Sequence, residues 1–132
     1  MAAALLPGRP LLYDGQEVES PQKLGLFERE LVAWGQPDSA ATRAFYRRVV
    51  DLARRDRAFT VDSLQAIATS DSSDVIGYRR GNAVVLVNAR DREVRFAVTG
   101  FDVAGARDLL TRRTVSGDTL VLPAYGAVVL ER

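Results

Sequence analysis

Apolar and polar residues alternate along the second half of the chain, from Leu64 onward. Val94, Phe96 and Val98 are separated by polar or small residues, which is the pattern of a strand buried on one face. The unbroken apolar run at residues 84–87 predicts a central strand that is covered on both faces. Turn signals recur between these runs. We therefore expect several short antiparallel strands, arranged as a sandwich or a barrel.

Two glycine-containing turns divide this region. Gly81 is the first central residue between Arg80 and Ala83, which favours a type II′ hairpin joining strands at 76–80 and 83–87. Gly117 lies in a second tight turn of the sequence Ser-Gly-Asp. The last two predicted strands follow it, at residues 120–122 and 127–130.

The middle of the chain carries one apolar residue per helical turn, which predicts an amphipathic helix. We call these four residues the helix stripe: Ala41, Phe45, Val49 and Leu52. The helix is expected to begin after Pro37, where Asp38 or Ser39 can accept hydrogen bonds from the free amides of the first turn.

The segment before this helix is rich in proline and glycine and has one compact apolar run, residues 11–13. That run predicts a strand buried on both faces, as in a parallel barrel. The polar stretch at residues 55–63 is the best candidate boundary. We accordingly divide the chain into residues 1–58 and a β-domain at residues 59–132.

Composition narrows the possible chemistry. The chain has 18 basic and 17 acidic residues, so no basic face for nucleic acid is indicated. It contains no cysteine and no histidine, which excludes disulfides, thiolate-metal sites and histidine bases, and we expect no metal and no cofactor. No apolar run approaches the roughly 20 residues of a membrane span. A soluble, cytoplasmic protein without a membrane partner is the default expectation.

The N-terminal sequence resembles a known enzyme family. Residues 5–18 read LLPGRPLLYDGQEV, which is similar to the pattern Pro-Gly-x-Pro-apolar-apolar-Tyr-Tyr-Gly-(Gln/Thr/Asp)-Glu of the α-amylase family of glycoside hydrolases. Residues 23–34, KLGLFERELVAW, resemble the stretch that follows it in many bacterial members. Residues 45–52 and 74–88 resemble the last barrel helix and the first strands of the C-terminal domain. Asp14 departs from the pattern by replacing the second tyrosine, and Arg57 replaces a proline.

This resemblance implies a fold class and a position within a larger enzyme. The fold would be mainly β, an antiparallel Greek-key β-sandwich preceded by a strand-loop-helix remnant of a (β/α)8 barrel. A whole barrel needs about 250 residues, so the 132 residues of this chain cannot contain one. The family places its three catalytic carboxylates upstream of these motifs. We therefore assign no catalytic residue to this chain.

Gln16 and Glu17 match family positions at the rim of the barrel, which implies that they support the substrate cleft of an intact enzyme. The other interpretation is conformational, with the two polar side chains holding the loop after the strand. A catalytic pair of Asp14 and Glu17 is disfavoured, because residues three apart on an extended strand point to opposite faces. Trp34 and Phe27 could stack on a sugar ring, although an isolated tryptophan more often packs against protein.

The sequence supports two hypotheses about function. The first is a C-terminal fragment of an α-glucan-acting hydrolase or transglycosidase, structural and not catalytic by itself. The second is a free-standing β-sandwich module that binds α-glucan, a protein partner or itself. On the first hypothesis an apolar N-terminal surface would contact the rest of the barrel or a second copy. That surface comprises Leu11, Leu12, Phe27, Trp34 and the helix stripe.

Overall fold

The computed structural model describes residues 2–8, 10–20, 25, 27, 29–35, 39–55 and 57–132. Within these ranges there is a single α-helix, α1 (Ser39–Arg55), and seven strands. The strands are β1 (Gln65–Ala66), β2 (Val75–Arg80), β3 (Ala83–Asn88), β4 (Val94–Ala97), β5 (Arg107–Asp108), β6 (Thr119–Leu122) and β7 (Ala127–Glu131). Short 3-10 segments lie at Ala2–Leu5, Gln16–Val18 and Arg57–Phe59. The predicted fold class, mainly β with antiparallel sheets and one helix, is confirmed.

Two antiparallel sheets form a sandwich. The larger has the strand order β1-β2-β3-β7-β5, and the smaller pairs β4 with β6. The hairpin between β2 and β3 pairs Arg80 with Ala83 across two residues, and Gly81 has a φ of 56°. A side chain at that φ would be strained, so glycine is the residue that this turn requires. β3 pairs on its other edge with β7 while β4 crosses to the second sheet, which is a Greek-key connection.

The first core fills the space between the two sheets. β3 contributes Val84 and Leu86, and β4 contributes Val94 and Phe96, all with 3% or less of their surface exposed. The other members of this core are Val75, Val103, Ala106, Leu120, Leu122, Val128 and Leu130. The period-two pattern therefore identified the buried face of β4 correctly, because alternate residues of a strand point to opposite faces.

A second core lies on the opposite face of the large sheet, where α1 packs. Its buried members include Val49 of α1, Val85 of β3 and Val129 of β7, and the others are Leu5, Ala58, Phe59, Tyr78, Ala83 and Leu110. Phe45, Leu52 and Ala53 pack around these residues. Burial raises the pKa of the Tyr78 phenol to about 12. β3 is thus covered on both faces, as predicted, because the second core covers the face that the second sheet does not.

The helix stripe differs from the expectation in two respects. Ala41 is exposed, and the buried face runs through Phe45, Val49, Leu52 and Ala53 instead. The stripe is also not an uncovered surface, because Phe45, Val49 and Leu52 belong to the second core, which residues of the same chain complete. Asp38 lies outside the described residues, and Ser39 is already helical.

The predicted strand at residues 11–13 is wrong for this structure. Leu11 is 88% exposed and Tyr13 is 52% exposed, and the Tyr13 carbonyl accepts a hydrogen bond from the Gln16 amide at 3.1 Å, which closes a turn. A strand requires a neighbouring strand for its backbone hydrogen bonds. No described residue pairs with this segment in either sheet.

The division at residues 58 and 59 stays a prediction. Ala58 and Phe59 lie on the two sides of that boundary, and both are buried in the second core. That core also joins Leu5 and α1 to the large sheet, so the two segments share apolar contacts.

Candidate functional site

Gln16 and Glu17 lie in a short 3-10 segment, Gln16–Val18, that packs against α1. Gly15 precedes it with a φ of 93°, and a Cβ at Gly15 would lie only 2.9 Å from the Cβ of Ser20. Glycine therefore permits both the backbone conformation and the close approach. Val18 is fully buried. The Thr42 hydroxyl donates a hydrogen bond to Glu19, which fixes the end of the segment on the helix.

Gln16 and Glu17 have different environments. The Gln16 side-chain carbonyl accepts a hydrogen bond from the Tyr13 amide at 3.1 Å, and Gln16 itself is exposed. This contact closes the loop, which is the conformational role that the sequence left open. Glu17 is half-buried and lines a cleft.

The cleft has a volume of about 270 Å³ and lies between the N-terminal segment and α1. Its lining residues are Leu12, Glu17, Arg43, Tyr46, Arg47, Val50 and Asp51. The five from α1 occupy the side of the helix that faces away from the second core. Leu12, Tyr46 and Val50 provide apolar surface, while two guanidinium groups and two carboxylates provide charges that balance formally.

The structure brings only part of the predicted set together. Asp14 is exposed in the turn and does not line the cleft, and Phe27 and Trp34 lie outside it, with 97% and 56% of their surfaces exposed. The sequence did not identify the α1 residues of the cleft as part of a site. Arg43, Tyr46, Arg47 and Val50 do have helical spacing, but they mix charged, aromatic and aliphatic side chains, so they form no recognisable apolar stripe.

Carboxylates with displaced pKa values lie elsewhere, on the sandwich. Asp74 is buried, and its Oδ1 accepts a hydrogen bond from Arg90 Nε at 2.7 Å. That bond is the main reason that the pKa of Asp74 lies below 3.8; the charge of Arg92, which also binds this carboxylate, acts in the same direction, and burial opposes both. Arg132 likewise lowers the pKa of Asp102 by a hydrogen bond. The Asp74 ion pairs join the segment before β2 to the segment between β3 and β4, and the Asp102 pair joins the segment before β5 to the C-terminal residue.

The Asp74 pair predicts a specific acid sensitivity. The pKa of Asp74 is lower in the folded chain than in the unfolded chain, so the ion pairs of Asp74 stabilise the fold above about pH 4. This stabilisation is lost as the pH falls through the folded pKa. Asp74→Asn should lower the urea midpoint at pH 7 and flatten its decline below about pH 4. Arg90→Gln should reproduce most of this change. Arg95→Gln removes an exposed guanidinium of β4 and serves as the control; a decline below pH 4 that Asp74→Asn leaves unchanged would contradict the assignment.

The described part of the chain contains no group of three or more acidic, histidine or cysteine residues that could hold a metal ion. No helix in these ranges is both long and apolar enough to cross a membrane.

Comparison with known proteins gives structural matches. No protein-family model and no curated protein matches the sequence. The noncanonic maltogenic α-amylase of Thermotoga neapolitana is 16% identical, with a TM-score of 0.67, over 96% of this chain and 33% of that enzyme. The Thermus thermophilus protein Ttha1563 is 26% identical, with a TM-score of 0.70, over 98% of this chain and 29% of that protein.

A third match is the maltooligosyltrehalose synthase of Arthrobacter ramosus, which is 22% identical with a TM-score of 0.51, over 98% of this chain and 21% of that enzyme. In each of these three cases nearly all of this chain corresponds to a third or less of a longer protein. The chain therefore has the fold of one part of α-amylase-type enzymes, the family that its N-terminal motif resembles.

Proposed function

We propose that this chain is the C-terminal part of an α-glucan-acting glycoside hydrolase or transglycosidase, with a structural and not a catalytic role of its own. The observation that carries the proposal is the coverage: 96–98% of this chain corresponds to only 29–33% of the two proteins with the higher TM-scores. The N-terminal motif supports the same assignment. A cytoplasmic location belongs to the proposal as well.

Exposed apolar side chains support the proposal that another part of the protein covers this segment. Leu11, Phe27 and Leu31 are each at least 80% exposed, and Tyr13 and Trp34 are more than half exposed. We call these five residues the exposed apolar surface. Single exposed apolar residues are common, but so many within one short segment are typical of a surface that another protein covers. The segment is the one that resembles a barrel strand and its loop. The remainder of a catalytic barrel is the partner that we propose.

Gln16 and Glu17 would then act indirectly. Gln16 closes the loop through the Tyr13 amide, and Glu17 forms one wall of the cleft against α1. In an intact enzyme these contacts would hold the loop that follows the last barrel strand, at the end of a barrel where substrates bind. Retaining glycosidases need two carboxyl groups about 5 Å apart, and we assign that pair to the upstream part of the protein.

A free-standing module is the second candidate, because the sandwich has a core of its own. Every residue of the first core, including the partly buried ones around it, lies between Ile67 and Leu130. Such a unit could bind an α-glucan, a partner or a second copy without any barrel. The sequence encoded upstream separates the two candidates: barrel motifs with an aspartate nucleophile and a glutamate acid support the enzyme fragment, and their absence supports the module.

The purified chain should have no glycosidase activity. Incubation with soluble starch, maltotriose or a nitrophenyl maltoside is expected to release no sugar or nitrophenol above a buffer blank. The reason is that the family's catalytic carboxylates belong to motifs that this sequence lacks. Turnover that survives purification and disappears in Asp14→Asn or Glu17→Gln would overturn the proposal.

The exposed apolar surface should cause association when no barrel covers it. Light scattering at rising concentration is expected to give masses above the 14.5 kDa of the monomer. The double variant Phe27→Ser/Leu31→Ser should shift the mass towards the monomer. Leu64→Ser is the matched control, because Leu64 is 48% exposed but lies outside this surface. A monomer at all concentrations, with residues 11–34 protected from hydrogen exchange, would count against the proposal.

Calorimetric binding of maltoheptaose by that monomer would favour the free-standing module over the enzyme fragment.

A further inference from the structure

Arg80 is a buried arginine at the end of β2. Only 5% of its surface is exposed, although the guanidinium group is charged. The guanidinium carbon lies 5.9 Å from the centre of the Phe59 ring, which allows a cation–π contact. Burying a charged group is costly unless hydrogen bonds replace its water. The hydrogen bonds of Arg80 therefore indicate what this side chain does.

The guanidinium joins two segments that are far apart in the sequence. Nε donates to the Val61 carbonyl at 2.7 Å, just after the 3-10 segment that follows α1. Nη1 donates to the carbonyls of Leu5 and Leu6, at 3.0 Å each. Leu5 is also fully buried in the second core. One side chain of the sheet thus holds both the N-terminal segment and the chain that leaves the helix.

The N-terminal segment has a second attachment farther along. Val18 is fully buried, and Glu19 accepts the hydrogen bond from Thr42 of α1. Residues 7–17 connect the Arg80 attachment to this one, and they include Leu12 and Glu17, the two cleft residues outside the helix. Pro7 and Pro10 restrict the backbone of this connection. The position of the cleft wall therefore depends on both attachments.

We propose that Arg80 is a positioning residue for the cleft: it fixes Leu12 and Glu17 against α1 without lining the cleft itself. The positioning itself depends only on contacts within the chain. Its effect on catalysis in an intact enzyme rests on the proposed function. The planar guanidinium can direct Nε and Nη1 to separate acceptors at once. A lysine ammonium is a single point on a flexible stem, so it cannot replace both attachments.

Spin labels can test this directly, because the chain has no cysteine. Labels on Asp14→Cys and Arg95→Cys would place one probe in the connection and the other on an exposed position of β4. With Arg80 present, the distance distribution should be narrow. Arg80→Met and Arg80→Lys should both broaden it, at urea concentrations where circular dichroism shows the sandwich still folded. Arg79→Met is the control, since Arg79 Nε donates only to the nearby Gly81 carbonyl among its described hydrogen bonds.

The outcomes separate positioning from general stabilisation. A lower urea midpoint with an unchanged narrow distribution in Arg80→Met would mean that Arg80 only stabilises the fold, and it would overturn the proposal. If Arg80→Met shows no cooperative unfolding, Arg80→Lys is used in its place. A narrow distance distribution in Arg80→Lys would likewise overturn the proposal. The labelled chain is diluted with an excess of unlabelled chain, so association contributes no intermolecular distance. Neither measurement uses a glucan or a barrel, so their results are independent of the tests of the proposed function.

Discussion

Leu86→Ala is expected to reduce the free energy of unfolding by about 2–5 kcal/mol. Leu86 is fully buried in the first core, on a strand that has β2 on one side and β7 on the other. Packing around it is tight: a Cβ built on Gly77 would lie 3.1 Å from a Leu86 methyl carbon. The surrounding backbone belongs to paired strands, so it has little freedom to close the cavity that alanine leaves.

Urea unfolding followed by circular dichroism measures this loss. Val121→Ala is the matched control, because Val121 lies on β6 with 39% of its surface exposed and should lose less than about 1 kcal/mol. A loss for Leu86→Ala as small as that of the control would contradict both the central position of β3 and the sandwich.

Removing the residues before Asp62 should leave a β-domain that still unfolds cooperatively, but with a larger loss of stability than Leu86→Ala causes. The first core remains intact in this fragment. The second core loses Leu5, Val49 and Phe59, which uncovers Val85 and Val129 of the large sheet. Exposing one such buried side chain costs about 1.5–3 kcal/mol, and several are exposed at once. The peptide of residues 1–56 should be largely unfolded alone, because an isolated helix of this length is marginal in water.

Adding that peptide back provides the test of docking. Circular dichroism melts of the fragment at low concentration should shift to higher temperature with the peptide, and a peptide carrying Val49→Asp should have no effect. An unchanged midpoint after truncation would show that the second core contributes nothing. A fragment without any cooperative transition would refute the boundary at residues 58 and 59, because it would mean that the two segments form one inseparable folding unit.

The site could be predicted only in part. The resemblance identified Gln16 and Glu17, and the structure places Glu17 in a cleft. The opposite wall was not predictable, because Arg43, Tyr46 and Arg47 become neighbours of Glu17 only when the loop packs on α1. That contact depends on Val18 and on the Thr42 hydrogen bond, which join positions more than twenty residues apart. Periodicity describes neighbours along one element and carries no information about such a contact.

The sequence by itself determined the local elements. Alternation predicted β4, the unbroken apolar run predicted a strand covered on both faces, and Gly81 predicted the hairpin, because side-chain direction and turn conformation depend on neighbouring residues. Tertiary structure decided which surfaces meet. The helix stripe predicted a buried face but not that it forms one core with the large sheet and the short 3-10 segments of the same chain. The apolar run at residues 11–13 has strand composition, yet it forms no strand in the described structure, because a strand depends on hydrogen bonds from a neighbouring backbone that local sequence cannot supply.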